Sequence, residues 1–382
     1  MSRTRAHLVV DARQLLPRST GVGHYIRGIL LGLDEVAAEA GMRVSVLYYP
    51  SRNEELERFW RGLKWCRPHA VRVHPESHPA SDIWQNSGLS GWMQQLRGTH
   101  LFSPAFVGPL IKWGTFRTIV CLHDALVWDY PENYPRGFGM YLRTFARLSA
   151  WAAWRTVCPS PGAREQLLGH GVADPLIVPY GLDHGIFHPG ITTTTIRPIA
   201  KTGPIRIAFL ASFERRKNHE LLFEALRIAE RNGRKFHLLL VHNATKQEER
   251  SLLPKAEGLS IELVRPVHQG EIADVFRECH FSVLPSLSEG FGAPALESMA
   301  CGCPVILSAT NWFRYLSANG ERAWLADPYD PEKWAETIEA LLQNPAQTKE
   351  KTEQALKFSR EFTWANSARE LMRICLSSSA IR

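Results

Sequence analysis

The chain has 382 residues, 45% of them hydrophobic and 22% charged, which is enough length for two domains and the composition of a globular protein. No apolar run reaches the roughly 18 residues of a membrane span, and "MSRTRAHLVVDARQLL" has too short an apolar core for a signal peptide, so a cytoplasmic location is expected. A net charge of +7 suits nucleic acid, an anionic membrane surface or a phosphorylated substrate; the absence of like-charge blocks and of nucleic-acid motifs speaks against the first.

In chain order, "HLVVDA" reads as a first strand and "TGVGHY" (20–25) as the loop after it, where Gly21 and Gly23 let backbone approach a bulky or charged group. It is not the dinucleotide fingerprint, which needs glycine where Ile26 stands, and a plain glycine pair before a helix is an equal reading. A helical pattern and the strand "RVSVLYY" follow. Two stretches, "RFWRGLKW" (58–65) and "YLRTFARLSAWAAWR" (141–155), mix arginine and lysine with tryptophan and phenylalanine. Each fits a lipid interface or a core-facing amphipathic helix, the core reading being favoured for the second. "TIVCLHD" sets His123 and Asp124 at a strand end, where a histidine is either a structural hydrogen-bonder or functional. Strands alternating with helices indicate a parallel, doubly wound sheet.

"GITTTTIRPIAKTGP" lacks apolar period and reads as a linker, after which the alternation restarts. The expected fold is therefore α/β, two Rossmann-like domains facing a cleft: 1–190, a linker at 191–204, 205–362, and a helix at 363–382 returning to the first domain. In the second half, "FERRKN" crowds Arg215, Arg216 and Lys217 before a helix that Asn218 could cap. Cations there oppose the helix dipole, which points either to an anion or to a solvated basic loop. "SEGFGAPALE" (288–297) then reads as a tight loop and a short helix from Pro294 to Gly302, with Glu289 in the loop and Glu297 in the first turn. The seven cysteines lie in or beside apolar segments and lack zinc-ligand spacing, so buried thiols are expected. Together the loops offer glycine turns, a basic cluster, a histidine and two carboxylates, the chemistry for a nucleoside diphosphate bearing a polyhydroxylated group.

This order of residues resembles the retaining GT-B glycosyltransferases that carry the E-x7-E motif, glycosyltransferase family four or group 1. The landmarks are "DARQL…TGVGHY", "LHDALVWDYPENYP", "PSPGAREQL", "VPYGLDHGIFHP", "FERRKN" and "PSLSEGFGAPALESMACGCPVILS", followed by "DPYDPEKWAETIEALL" and "FTWANSARELM". Within the family the N-terminal pattern is most similar to mannosyl- and rhamnosyltransferases of surface-polysaccharide pathways.

The resemblance implies a GT-B fold and retaining transfer of a hexose, mannose favoured, from a nucleotide sugar such as GDP-mannose to a saccharide or lipid-linked saccharide, without a metal. No Asp-x-Asp pair occurs. Glu289 would contact donor-sugar hydroxyls, aided by the backbone around Gly290, Phe291, Gly292 and Ala293; Glu297 would hold the ribose hydroxyls. Lys217 and Arg216 would neutralise the departing diphosphate, and His123 would touch the donor sugar. Gly21 and Gly23 would admit the diphosphate. Ser212, preceded by Ala211, stands where the family has Gly and then Arg or Thr at a phosphate contact, and Arg265-Pro266 replaces a glycine near the base pocket. Contact with an anionic membrane, at the inner face of the cell membrane, is a further expectation. A sugar-nucleotide 2-epimerase of the same fold and an inactive glycosyltransferase-like scaffold are the alternatives.

Overall fold

The computed structural model of the chain describes residues 6–17, 20–76, 80–190, 203–266 and 268–377. They group into two units, Met1–Gly181 with Phe362–Arg382, and Leu182–Glu361. Residues 182–190, assigned to the first domain on sequence grounds, thus group with the second. Most of the expected linker, 191–202, lies outside the described residues.

The first unit holds β1 (His7–Asp11), β2 (Arg43–Tyr48), β3 (Cys66–Ala70), β4 (His100–Ser103), β5 (Arg117–Cys121), β6 (Arg155–Cys158) and β7 (Leu176–Ile177). Between them run α1 (Gly21–Val36), α2 (Glu54–Gly62), α3 (Ala80–Leu96), α4 (Leu126–Asp129), α5 (Arg136–Ala152) and α6 (Pro161–Gly169). The strands form one parallel sheet in the order β3-β2-β1-β4-β5-β6-β7, with Leu8 opposite Val44 on one side and His100 on the other. Every residue of β1 is buried, as a strand covered by helices on both faces requires.

The second unit has β8 (Ile205–Leu210), β9 (Phe236–Val241), β10 (Ile261–Val264), β11 (Phe281–Leu284), β12 (Val305–Ser308) and β13 (Trp324–Ala326). Its helices are α7 (His219–Arg231), α8 (Lys246–Leu252), α9 (Gln269–Glu278), α10 (Ala293–Ala300), α11 (Asn311–Leu316), α12 (Pro331–Gln343) and α13 (Pro345–Ser359). The parallel order is β10-β9-β8-β11-β12-β13. The chain winds outward from β8 in one direction and from β11 in the other, so the loops leaving β8 and β11 flank a topological switch point, where open α/β sheets take ligands. Both units match the doubly wound expectation.

The closing helix α14 (Trp364–Leu376) belongs to the first unit and packs on α1. Two glycines permit this: a Cβ on Gly28 would overlap the Trp364 indole, and one on Gly32 the Trp364 carbonyl. Trp364 in turn lies 4.8 Å from the Tyr180 ring and 5.8 Å from the buried Tyr25. Tyr180 is therefore a packing residue. At the end of β1, Arg13 grips Asp11 through two 2.9 Å bonds and lies 3.8 Å over the Trp84 ring, so "DAR" forms a closed, buried pair.

Two sequence expectations need correction. Gly21 and Gly23 open α1 instead of lying in a loop, and the Thr20 hydroxyl caps them by accepting from the Gly23 N–H at 3.0 Å. Trp60 is buried against Tyr48 in the core, because Leu56 and Trp60 share the inner face of α2, while Glu54, Glu55 and Glu57 make its first turn acidic. Trp60 thus takes the core reading, while Trp65 at the end of "RFWRGLKW" is 57% exposed. The seven cysteines are buried and free.

Gly32→Ala should drive the α1 backbone off Trp364 and cost about 1–3 kcal/mol, the usual range for overpacking. Thermal unfolding would register this as a lower Tm; an unchanged Tm would mean that α14 yields without cost.

Candidate functional site

The loop leaving β8 turns through one 3-10 turn, Arg215–Lys217, and then places Asn218 in the left-handed region at φ 59°. Asparagine tolerates that conformation. Its side chain does not cap α7, contrary to expectation. It donates instead to the Pro285 carbonyl at 3.2 Å and the Pro328 carbonyl at 2.8 Å, tying this loop to those leaving β11 and β13. The Leu287 N–H adds a 2.8 Å bond to the Arg216 carbonyl.

These ties seat a buried ion cluster. Lys217 Nζ donates to Glu289 Oε1 at 2.6 Å, and Arg216 Nη1 to Glu289 Oε2 at 3.0 Å and to the Ser288 carbonyl at 3.2 Å. Arg216 Nε also bonds Glu214 at 2.6 Å, and Glu214 takes the Ser212 hydroxyl at 2.6 Å. Burial alone would raise Glu289, but Lys217 and Arg216 outweigh it and hold the carboxyl down at about 2. Burial lowers the Lys217 ammonium, which Glu289 partly offsets. Arg216 and Lys217 of "FERRKN" thus have carboxylate partners within the chain, whereas Arg215 is exposed.

Glu297 is the opposite case. The loop after β11 ends at Gly292, left-handed at φ 74°, where a Cβ would also press the Phe313 ring at 2.8 Å. Helix α10 starts at once, with Ala293 first and Pro294 second, and Gly302, also at positive φ, follows its end. Glu297 is consequently its fifth residue, in the second turn and not the first. It is buried, its Oε2 has no hydrogen-bond partner, and burial raises its carboxyl to about 7. Phe291 is buried behind this loop, its carbonyl accepting from the Trp312 indole at 2.5 Å.

Other predicted residues lie elsewhere. Arg265 follows the edge strand β10 and pairs with Glu249 on α8. His123 follows β5 in the first unit; its Nε2 bonds the Pro104 carbonyl at 2.7 Å, and burial lowers its pKa to about 4, so the ring is neutral with Nδ1 as acceptor. Gly21 is exposed and a Cβ there would meet nothing within 4 Å; at Gly23 one would press the Thr20 hydroxyl at 3.2 Å.

Sequence reading missed His242, Phe213 and His219. His242 is buried at the end of β9, stacked 4.6 Å from Phe213, with Glu249 3.5 Å from its Nε2. His219 is buried beside Phe209 and Phe213, and burial, then Lys217, push its pKa to about 3. The strand-end rule that selected His123 would have selected His242, which follows "FHLLLV".

Residues 193–359 match the family described as Glycosyl transferases group 1. The chain is 31% identical over 273 residues to a D-inositol 3-phosphate glycosyltransferase of Geodermatophilus obscurus, an alignment covering 67% of this chain and 57% of that protein. To the protein of the same name from Corynebacterium efficiens it is 28% identical over 220 residues, 54% and 52% of the two chains. The chain spans about half the length of these curated relatives. Among solved structures, sucrose-phosphate synthase from Thermosynechococcus elongatus gives a TM-score of 0.71 at 18% identity, covering 97% of this chain and 98% of that one. Anabaena HepE in complex with UDP and glucose gives 0.68 at 14%, covering 98% and 100%. These likenesses place the α/β fold with its two parallel sheets in the GT-B class.

Native Glu297 keeps its proton to about pH 7, whereas an unfolded glutamate loses it near 4.5, so folding takes up a proton in that window and stability falls as pH rises through it. The full effect is roughly 3 kcal/mol. Glu297→Gln should flatten the Tm-against-pH curve between these values and gain on the parent at pH 7 and above. Parallel curves would show that the carboxyl ionises at its ordinary pKa.

Proposed function

We propose that this chain, whose residues 193–359 match the family described as Glycosyl transferases group 1, is a retaining hexosyltransferase. In this reading it moves a hexose, mannose favoured, from a nucleotide-diphosphate sugar such as GDP-mannose to a saccharide or lipid-linked saccharide acceptor in surface-glycan synthesis. The observation carrying the reading is the joining of Lys217, Arg216 and Glu289 at the switch point between β8 and β11, within the matched residues.

The proposed chemistry follows from those groups. The bond from sugar C1 to the diphosphate oxygen breaks and its electron pair leaves with the diphosphate. Lys217 and Arg216 stabilise that developing charge, the electrostatic effect that usually supplies most of the acceleration. The acceptor oxygen bonds to C1 on the same face, and its proton passes to the leaving phosphate oxygen. Glu289, held near 2 with a cation on each oxygen, is a weak nucleophile; this supports its serving the sugar hydroxyls and not a covalent intermediate. Glu297, with an unpartnered oxygen, suits the paired ribose hydroxyls. His123 would accept a sugar hydroxyl at Nδ1, and Gly21 with Gly23 would admit the diphosphate. Ser212, through Glu214, and the loop Gly290–Ala293 would support the phosphate and sugar, with Arg265 beside the base. Fixed cations take the place of a metal.

Glu297→Ala should weaken nucleotide binding roughly ten- to hundredfold, the worth of one or two lost charge-assisted hydrogen bonds. Glu289→Ala should mainly lower kcat, by about a hundredfold or more. Because removing Glu289 leaves buried cations unpaired, Glu289→Gln and the Tm of each variant serve as controls. Thermal shifts with GDP, UDP, TDP and ADP, without added metal, read the base. Selective stabilisation by UDP, the nucleotide in the HepE complex, would replace mannose by another hexose. No shift with any nucleotide would favour the inactive scaffold.

A further inference from the structure

Helix α5 has a conventional inner face and an anomalous outer one. Gly139, Leu142, Ala146 and Ser149 are buried beneath it. At 3.6 residues per turn the opposite side carries Met140, Leu148 and Trp151, which are 62%, 41% and 83% exposed. An outward face of a core-packed helix is normally polar. The sequence reading favoured a core-facing helix here and kept a lipid interface as the alternative; the structure has the inner face and adds the apolar stripe opposite it.

One flank of the stripe is a row of arginines, Arg136, Arg143 and Arg147, and the helix contains no aspartate or glutamate. The other flank is aromatic, with Tyr141 stacked 4.6 Å from Phe145. Two neighbouring carboxylates are engaged, Asp82 accepting from the Tyr141 hydroxyl at 2.6 Å and Asp129 pairing with His170 at 2.6 Å, while Glu132 in the turn before the helix is exposed. A neighbouring loop carries two more exposed apolar side chains. Ser149 bonds both the N–H and the carbonyl of Gly108 at 3.1 Å, and Asn86 of α3 accepts from the Ile111 N–H at 3.1 Å. These bonds hold the loop 108–116 against α3 and α5, with Ile111 63% and Trp113 56% exposed and Lys112 between them.

We propose that this face, α5 with the Ile111–Trp113 loop, is where the protein docks on an anionic lipid bilayer. Trp151, Met140 and Trp113 would enter the headgroup boundary while the arginine row meets the lipid phosphates. Exposed apolar side chains beside clustered cations are the pattern of a helix lying in the interface plane, and indole rings favour that depth. Charge selects this occupant over a second copy of the chain, since two such faces would bring their arginine rows together on a protein of net charge +7. No helix among the described residues is long and apolar enough to cross a membrane, so this is surface docking. The inference deepens the lipid-linked acceptor reading and rests on it for its purpose.

The test is co-sedimentation of the full chain with phosphatidylcholine vesicles, with and without phosphatidylglycerol, alongside the nucleotide thermal shift. The parent should partition onto the phosphatidylglycerol vesicles and lose binding as salt rises. Met140→Ala with Trp151→Ala should lower that partitioning by about tenfold or more. Arg136→Gln and Arg147→Gln should each lower it about fivefold on anionic vesicles alone. Tyr329→Ala, at an exposed aromatic of the second unit, should leave it unchanged, and none of these changes should move the nucleotide shift. Vesicle binding that is absent, or equal in parent and Trp151 variant, overturns the docking face even where nucleotide still stabilises the chain. A parent dimer dissolved by the Trp151 variant assigns the face to a second copy and likewise overturns it. Loss of the nucleotide shift alone overturns the transferase reading and leaves the face standing.

Discussion

The salt bridges from Lys217 and Arg216 to Glu289 fix the loops at the second unit's switch point. Buried charges are tolerable only in each other's company; removing one partner from such a set typically costs about 3–5 kcal/mol. The loops leaving β8 and β11 therefore cannot settle independently, although Lys217 and Glu289 stand 72 residues apart in sequence. Neutral bonds repeat the constraint, from Asn218 to Pro285 and from Leu287 to Arg216. Once the second loop is held, Gly292 turns left-handed and α10 begins, which carries Glu297 inward. Cations held this way need little reorganisation when a charge develops beside them.

Glu289 and Glu297 show how one residue type acquires two characters eight positions apart. Both are buried, at 8% and 6% exposure. Glu289 has two cations and sits near 2; Glu297 has burial alone and sits near 7. The difference lies wholly in what each carboxyl meets, the usual way a protein separates the tasks of two acids. At neutral pH Glu297 is poised near its midpoint, able both to donate and to accept, which suits a pair of hydroxyls.

Strands and helices of both units were legible because the apolar period is strong, as in "HLVVD" and "FHLLLV", and the two carboxylates were visible in their spacing. Finer placement failed where one residue's conformation decided it. Left-handed Gly292 starts α10 at Ala293 and pushes Glu297 out of the first turn; left-handed Asn218 turns its amide away from α7 and toward two carbonyls. Trp60 was left open between a lipid face and the core for a different reason. Its arginine and lysine neighbours suggested a lipid face, but Leu56 one turn earlier and the three glutamates of the first turn already pointed it inward. The pairing of Arg216 with Glu214 was local enough to be read from "FERRK"; that of Lys217 with Glu289 was not.

The charge balance of the switch point bears on the rest of the molecule. Arg216 and Lys217 face Glu289 and Glu214, so this cluster sums to zero. A diphosphate arriving there, as the proposed function requires, competes with carboxylates already in place, and its gain is the difference between two sets of charge-assisted bonds. The chain's surplus of positive charge therefore has no outlet in that cluster. On α5 three arginines stand without a carboxylate on the same helix, beside the most exposed tryptophan of the described residues. Balanced charge in the buried cluster holds its geometry, whereas the unpaired sign on α5 is displayed at the surface.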